Sequence, residues 1–157
     1  MKDLKTFGID RSQGRPYEEI VYALVLIYNI FDDEISQFLA QHNLTIGKFN
    51  ILVAIKHHGQ KGGIPQVDIS KHLIVTPSNM TKLIDKLEQD GLVERLPLKG
   101  DRRVNLTRIT TKGGRLLDEI WDEYLKKLKS LTISLDEKTQ RQLADVLFNW
   151  FEALKNK

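Results

Sequence analysis

Apolar residues recur at helical spacing over much of the 157-residue chain, and interruptions of that recurrence divide it into elements. From Tyr17 to about Gln41, the residues Ile20, Val21, Leu24, Ile27, Tyr28, Phe31, Ile35 and Phe38 follow a period near 3.6 and predict a long helix. Val21 to Tyr28 is apolar almost all round, so more than one face needs cover. In a chain this short, a second subunit is an expected source of that cover. Thr45 to His58 reads as a second helix, with Thr45 at its N-cap and Phe49, Leu52, Val53 and Ile55 as apolar contacts. Gly59 to Gly63 ends it. Ile64-Pro65 reads as a short extended link, too brief for an interior strand. Gln66 to Leu73 predicts a short helix anchored by Val67, Ile69 and Leu73.

Thr76 is suited to an N-cap and Pro77 to the first helical position, where a missing N–H costs nothing. The helix they start is expected to reach Asp90, with Met80, Leu83, Ile84 and Leu87 forming one apolar stripe. Gly91 and Leu92 supply the left-handed residue and the hydrophobic closure that end it. Val93 to Leu96 and Val104 to Ile109 read as strands around a polar, basic loop, Pro97 to Arg103: a hairpin with a charged tip. Thr111 to about Leu131 is a long helix with Leu117, Ile120, Trp121, Tyr124 and Leu128 on one side. Ser134-Leu135-Asp136-Glu137 reads as a capping box with Ser134 at the N-cap. The last helix carries Leu143, Val146, Leu147, Trp150, Phe151 and Leu154 in register. This order predicts a mainly α fold with a small β-hairpin wing: a winged helix-turn-helix with N- and C-terminal dimerisation helices. The expected division is a polar N-terminal arm at 1–16, a helical dimerisation region at 17–44 and 111–157, and a winged lobe at 45–110.

Charge sharpens this picture. The net charge is only +3. Residues 71–115, however, carry ten Lys and Arg against five Asp and Glu, while the segments on either side are each one charge negative. Positive charge confined to one segment is the footprint of a phosphate-binding face. There is no cysteine, which removes disulfides, thiolate zinc sites and cysteine-based redox sensing. The N-terminus has no apolar signal region, and the apolar run from Ile20 to Phe31 falls well short of the roughly 20 residues a membrane span needs. The cytoplasm is the expected location.

The helix expected after Pro77 turns Ser78, Asn79, Thr81, Lys82, Asp85 and Lys86 away from its apolar stripe. A recognition helix offers short hydrogen-bonding side chains near its N-terminus to base edges, with lysines nearby for phosphates. By itself this is equally a solvated helix face. The hairpin favours DNA. Lys99, Arg102 and Arg103 sit at its tip, Arg95 and Arg108 on its strands, and arginine on a narrow protrusion suits the minor groove. The expected DNA contacts are Thr76, Ser78, Asn79, Thr81, Lys82, Lys86, Arg95, Lys99, Arg102 and Arg103. Asp101 is assigned the role of orienting a neighbouring guanidinium. Val21, Leu24, Tyr28, Leu147, Trp150, Phe151 and Leu154 form the expected dimer interface.

Leu73 to Gly113 resembles the MarR family of multiple antibiotic resistance regulators. The resemblance is carried by Thr76 to Glu88, by Gly91-Leu92-Val93-Glu94-Arg95, by Asp101-Arg102-Arg103 as the D-x-R wing signature, and by Ile109 to Gly113. The flanking helices extend it in architecture from roughly Tyr17 to Leu154. It implies a homodimer joined through its first and last two helices, acting as a repressor, less often an activator, at pseudo-palindromic promoters. It also implies a small-molecule effector, often phenolic or carboxylate-bearing, that releases DNA. No motif marks an effector pocket.

Other chemistries find little support. His57 and His58 are adjacent and point apart on a helix, and His42 and His72 complete no i, i+4 pair, so no metal is expected. Asp32-Asp33-Glu34 has no partner base, and Gly59 to Gly63 lacks the phosphate-loop pattern. Trp121 and Trp150 read as packing residues, with Trp121 also a candidate wall of an effector cavity. Neither catalysis nor a cofactor is expected. The alternative function is a winged-helix protein–protein interaction module without specific DNA binding.

Overall fold

Helix α1, Pro16–Ala40, opens on a proline, whose absent N–H has no intrahelical partner to lose. The computed structural model describes residues 7–8, 14–59, 62–73, 78–98 and 101–156, with side chains at 98 and 101–104 excepted. Leu39 is the buried residue of α1. Asn43, with φ 57°, turns the chain toward α2, Ile46–His58. The expected cap is present: Thr45 Oγ1 accepts from Lys48 N at 3.3 Å. Helix α2 buries Phe49, Ile51, Leu52, Ala54 and Ile55, while Val53 is only half-buried. Ile51 therefore takes the core place the spacing had assigned to Val53.

Strand β1 is Ile64–Pro65, and α3 is Gln66–Lys71, two residues shorter than expected. The extended link proves to be a strand, pairing Ile64 with Thr107 and Pro65 with Leu106 of β3, Asp101–Ile109. With β2, Val93–Leu98, the sheet is three-stranded and antiparallel in the order β1-β3-β2. Both prolines, Pro65 and Pro97, thus lie on edge strands, where an absent N–H interrupts no interior ladder. Gly63 adopts φ 91°, and a Cβ there would meet the Thr107 carbonyl oxygen at 2.9 Å. The hairpin is longer than expected: Pro97 pairs with Asn105 and Leu98 with Asp101, with an irregularity between Pro97 and Leu98. An edge position tolerates Pro97, so the strand runs through what read as loop.

Helix α4, Met80–Gln89, starts later than Pro77. Asn79 has φ −111° and ψ 27°, outside helical values, and its carbonyl accepts the first helical bond, from Leu83 N at 3.1 Å. Ser78 and Asn79 therefore precede the helix. Thr76 and Pro77 lie outside the described residues. The expected C-terminus is present in full. Gly91 has φ 70°, its N–H donates to Glu88 O, and Leu92 N donates to Leu87 O, both at 2.9 Å.

Helix α5, Thr111–Leu131, is capped by Thr110, whose Oγ1 accepts from Gly113 N at 3.0 Å and donates to Gly91 O at 2.8 Å. The chain forms two compact units, Met1–Leu117 and Asp118–Lys157. The core of the first includes Leu39, Phe49, Ile51, Leu52, Ile55, Ile69, Ile84, Leu87, Val93 and Leu117. The second holds the rest of α5 and α6, Glu137–Lys155. Within it the rings of Trp121 and Tyr124 lie 5.8 Å apart, and burial raises the pKa of Tyr124. Ser134 does not cap α6. Asp136 does, accepting from Thr139 N at 2.9 Å through Oδ1 and from the Thr139 hydroxyl at 2.9 Å through Oδ2. The helix begins at Glu137, which leaves Ser134 two residues too early to reach its free N–H groups. Among the described residues, no helix is long and apolar enough to cross a membrane.

Candidate nucleic-acid interface

Helix α4 is amphipathic. Ile84 and Leu87 are fully buried, while Thr81, Lys82 and Lys86 are exposed. Ser78 and Asn79, also exposed, stand in the turn ahead of it. An open groove of about 550 Å³ between α3 and α4 is lined by Gln66, Ser70, Ser78, Asn79, Thr81 and Lys82, among others. Four of the expected DNA contacts thus share one concave surface. Lys86 lies one turn further along α4.

Polar tethers hold α4 along its length. From α3, Gln66 Nε2 donates to Thr81 Oγ1 at 2.7 Å. At the other end, Lys48 of α2 pairs with the Asp90 carboxylate, and Lys112 of α5 donates to the Asp90 carbonyl, each at 2.7 Å. Two ammonium groups suit the negative end of a helix dipole.

The middle tether is Arg95, also one of the expected DNA contacts. Its guanidinium joins Glu88 Oε2 at 2.6 Å and Asp85 Oδ1 at 2.5 Å. Its backbone N–H also donates to Glu88 Oε1 at 3.2 Å. Burial opposes the charge of Arg95, but the bonds and fields of Asp85 and Glu88 outweigh it and raise its pKa above the ordinary arginine value. Arg108 of β3 bridges to Glu94 across the hairpin at 3.0 Å. Lys99 lies outside the described residues. Of Asp101, Arg102 and Arg103 only the backbone is described, and it places them in β3 at the end of the hairpin.

The MarR family profile matches residues 44–104, from the turn before α2 into the first part of β3. The chain is 23% identical to the HTH-type transcriptional regulator PecS of Dickeya dadantii over 82% of its own length and 77% of that protein's. It is 28% identical to the HTH-type transcriptional regulator MhqR of Bacillus subtilis, over 76% of this chain and 81% of that one. Over residues 44–104 this chain is similar to the MarR family. Its fold is also that of the MepR–DNA complex of S. aureus, with a TM-score of 0.75 and 24% identity over 85% of this chain and 96% of that one.

The interface also uses residues that sequence reasoning missed. Gln66, Lys48 and Lys112 anchor α4, yet each comes from a different element and none shares a periodic pattern with it. Only Lys112 lies inside a motif, Thr110 to Gly113, and the motif does not show where its ammonium goes. His58 and His72 stack with ring centroids 3.6 Å apart and planes 4° apart, a pairing that sequence separation conceals. Among the described residues, no three His, Asp or Glu side chains are grouped to hold a metal.

Proposed function

We propose that this protein binds duplex DNA sequence-specifically as a homodimer and regulates transcription. The observation that carries this reading is the groove gathering Ser78, Asn79, Thr81 and Lys82 around the exposed N-terminal end of α4. Short donors and acceptors in that position face base edges when the helix enters the major groove, and Lys82 and Lys86 meet phosphates. The hairpin end, with Lys99, Arg102 and Arg103, reaches the adjacent minor groove, and Asp101 orients a guanidinium there. Two copies supply the two half-sites. The exposed apolar faces of α1, at Val21 and Tyr28, and of α6, at Leu147, Phe151 and Leu154, support self-association. Leu24 and Trp150, half-buried in the single chain, complete those faces.

Selection from a random duplex library with the purified protein tests this. The expected result is enrichment of an inverted repeat with half-site centres about 10 bp apart. The affinity should fall steeply with salt, because phosphate contacts release counterions. Absence of enrichment at any salt overturns the proposal and leaves a protein-interaction module as the reading.

A further inference from the structure

Thr81, Asp85 and Glu88 follow one another at i, i+4 and i+7, so they form one row along α4. A row that begins at an expected base contact and continues with two carboxylates is a poor surface to bring toward phosphates. Like charge repels there, and desolvation at an interface strengthens the repulsion. The structure supplies the compensation from β2. The two terminal nitrogens of Arg95 are divided between the two carboxylates, and the side chain is 24% exposed. Thr81, Asp85 and Arg95 line a second open groove of about 520 Å³ together with Asn105 and Thr107 of β3.

We propose that Arg95 is a positioning residue for DNA recognition: it cancels the Asp85 and Glu88 charges and fixes the roll of α4 against the wing, and does not itself touch phosphate. This rests on the DNA-binding reading above. A guanidinium suits the task because its planar fork serves two carboxylates at once, which one lysine ammonium does less well. For Arg95 to reach a phosphate, both charge-assisted bonds would have to break and two carboxylates would be left bare beside the DNA. The helix is held at both ends by Gln66 and by Lys48 with Lys112, so loss of the middle tether changes its orientation more than its presence.

The test uses the full-length protein, the duplex selected by it, and a random duplex of equal length. Arg95→Met is expected to weaken binding to the selected site about 10-fold or more. Affinity for the random duplex should fall by a clearly smaller factor, through the uncancelled carboxylates alone, with the slope of log affinity on log salt unchanged. A phosphate contact behaves differently: both duplexes lose affinity alike and the slope becomes shallower by about 0.9. That result overturns the inference, as does parent-like binding by the variant. A folded variant whose affinities for the two duplexes fall by one and the same factor also counts against a positioning role. If Arg95→Met does not fold, Asp85→Ala/Glu88→Ala with Arg95 retained decides the matter. Weaker selected-site binding, despite two fewer negative charges, supports positioning, and tighter binding overturns it. A parent that binds neither duplex defeats the DNA-binding reading itself, and this inference with it.

Discussion

Gly113 and Gly114 are neighbours in the first turn of α5, yet their surroundings differ. A Cβ on Gly113 would overlap the Leu92 carbonyl oxygen and press on Ile109, whereas a Cβ on Gly114 meets nothing within 4 Å. Gly113→Ala must therefore push apart the joint where α5 leaves the sheet, at a cost of about 1–3 kcal/mol typical of overpacking. Gly114→Ala should be neutral or stabilise by up to about 1 kcal/mol, because alanine is the better helix former. Urea unfolding of the two variants separates these outcomes, and equal midpoints would show that the close approach at Gly113 is relaxed at no cost. The T-x-x-G pattern was legible in the sequence, and so was its membership of a family motif. The reason for its glycine was not, because Leu92 is distant in the chain.

At the scale of elements, helix ends divide into those set by adjacent residues and those set by contacts from elsewhere. The Thr45 cap and the Gly91-Leu92 closure belong to the first kind and were read correctly. The starts of α4 and α6 were misread, since more than one residue in each segment was chemically suited to cap and the backbone chose a later one. Asp136 makes a test of the α6 start. Its backbone and side-chain bonds to Thr139 hold its pKa below the ordinary carboxylate value. A lowered native pKa means the charged form is favoured by folding. The stabilisation is therefore complete above the unfolded pKa of about 3.9 and is lost as pH falls through the lowered native value. Asp136→Ala should lower the thermal midpoint near neutral pH, and the difference from the parent should vanish toward strongly acidic pH. A difference that persists unchanged in acid would mean Asp136 acts by something other than its charged cap. Ser134→Ala should leave the midpoint unchanged throughout.

At the scale of the whole molecule, apolar surface without cover is the dominant feature of both long terminal helices. Tyr28 is 65% exposed in α1, and Phe148 and Phe151 are 70% and 56% exposed in α6, which has no buried residue at all among those described. Large aromatic residues left in this state are characteristic of surfaces that meet a partner. Val21→Glu and Phe151→Glu should each shift the protein from dimer to monomer in sedimentation at micromolar concentration, and weaken binding to an inverted repeat more than to a single half-site. A parent that sediments as a monomer would remove dimerisation from the proposed function. The surplus was visible in the sequence as the run from Val21 to Tyr28, because such a run has no polar side to turn outward.

The sequence by itself determined the order of the helices and of the two hairpin strands, the caps at Thr45 and Gly91, the basic central segment and the family motifs, since each of these depends on residues within a few positions of one another. Tertiary structure decided which strands share a sheet, where α4 begins and what its charged neighbours do. Pro65 became a strand because β3 offered it a partner, and Arg95 became an internal ion pair because two carboxylates of α4 were brought beside it. A charge declares its sign in the sequence, but the group that neutralises it is set by distance in space, and only the folded chain supplies that distance.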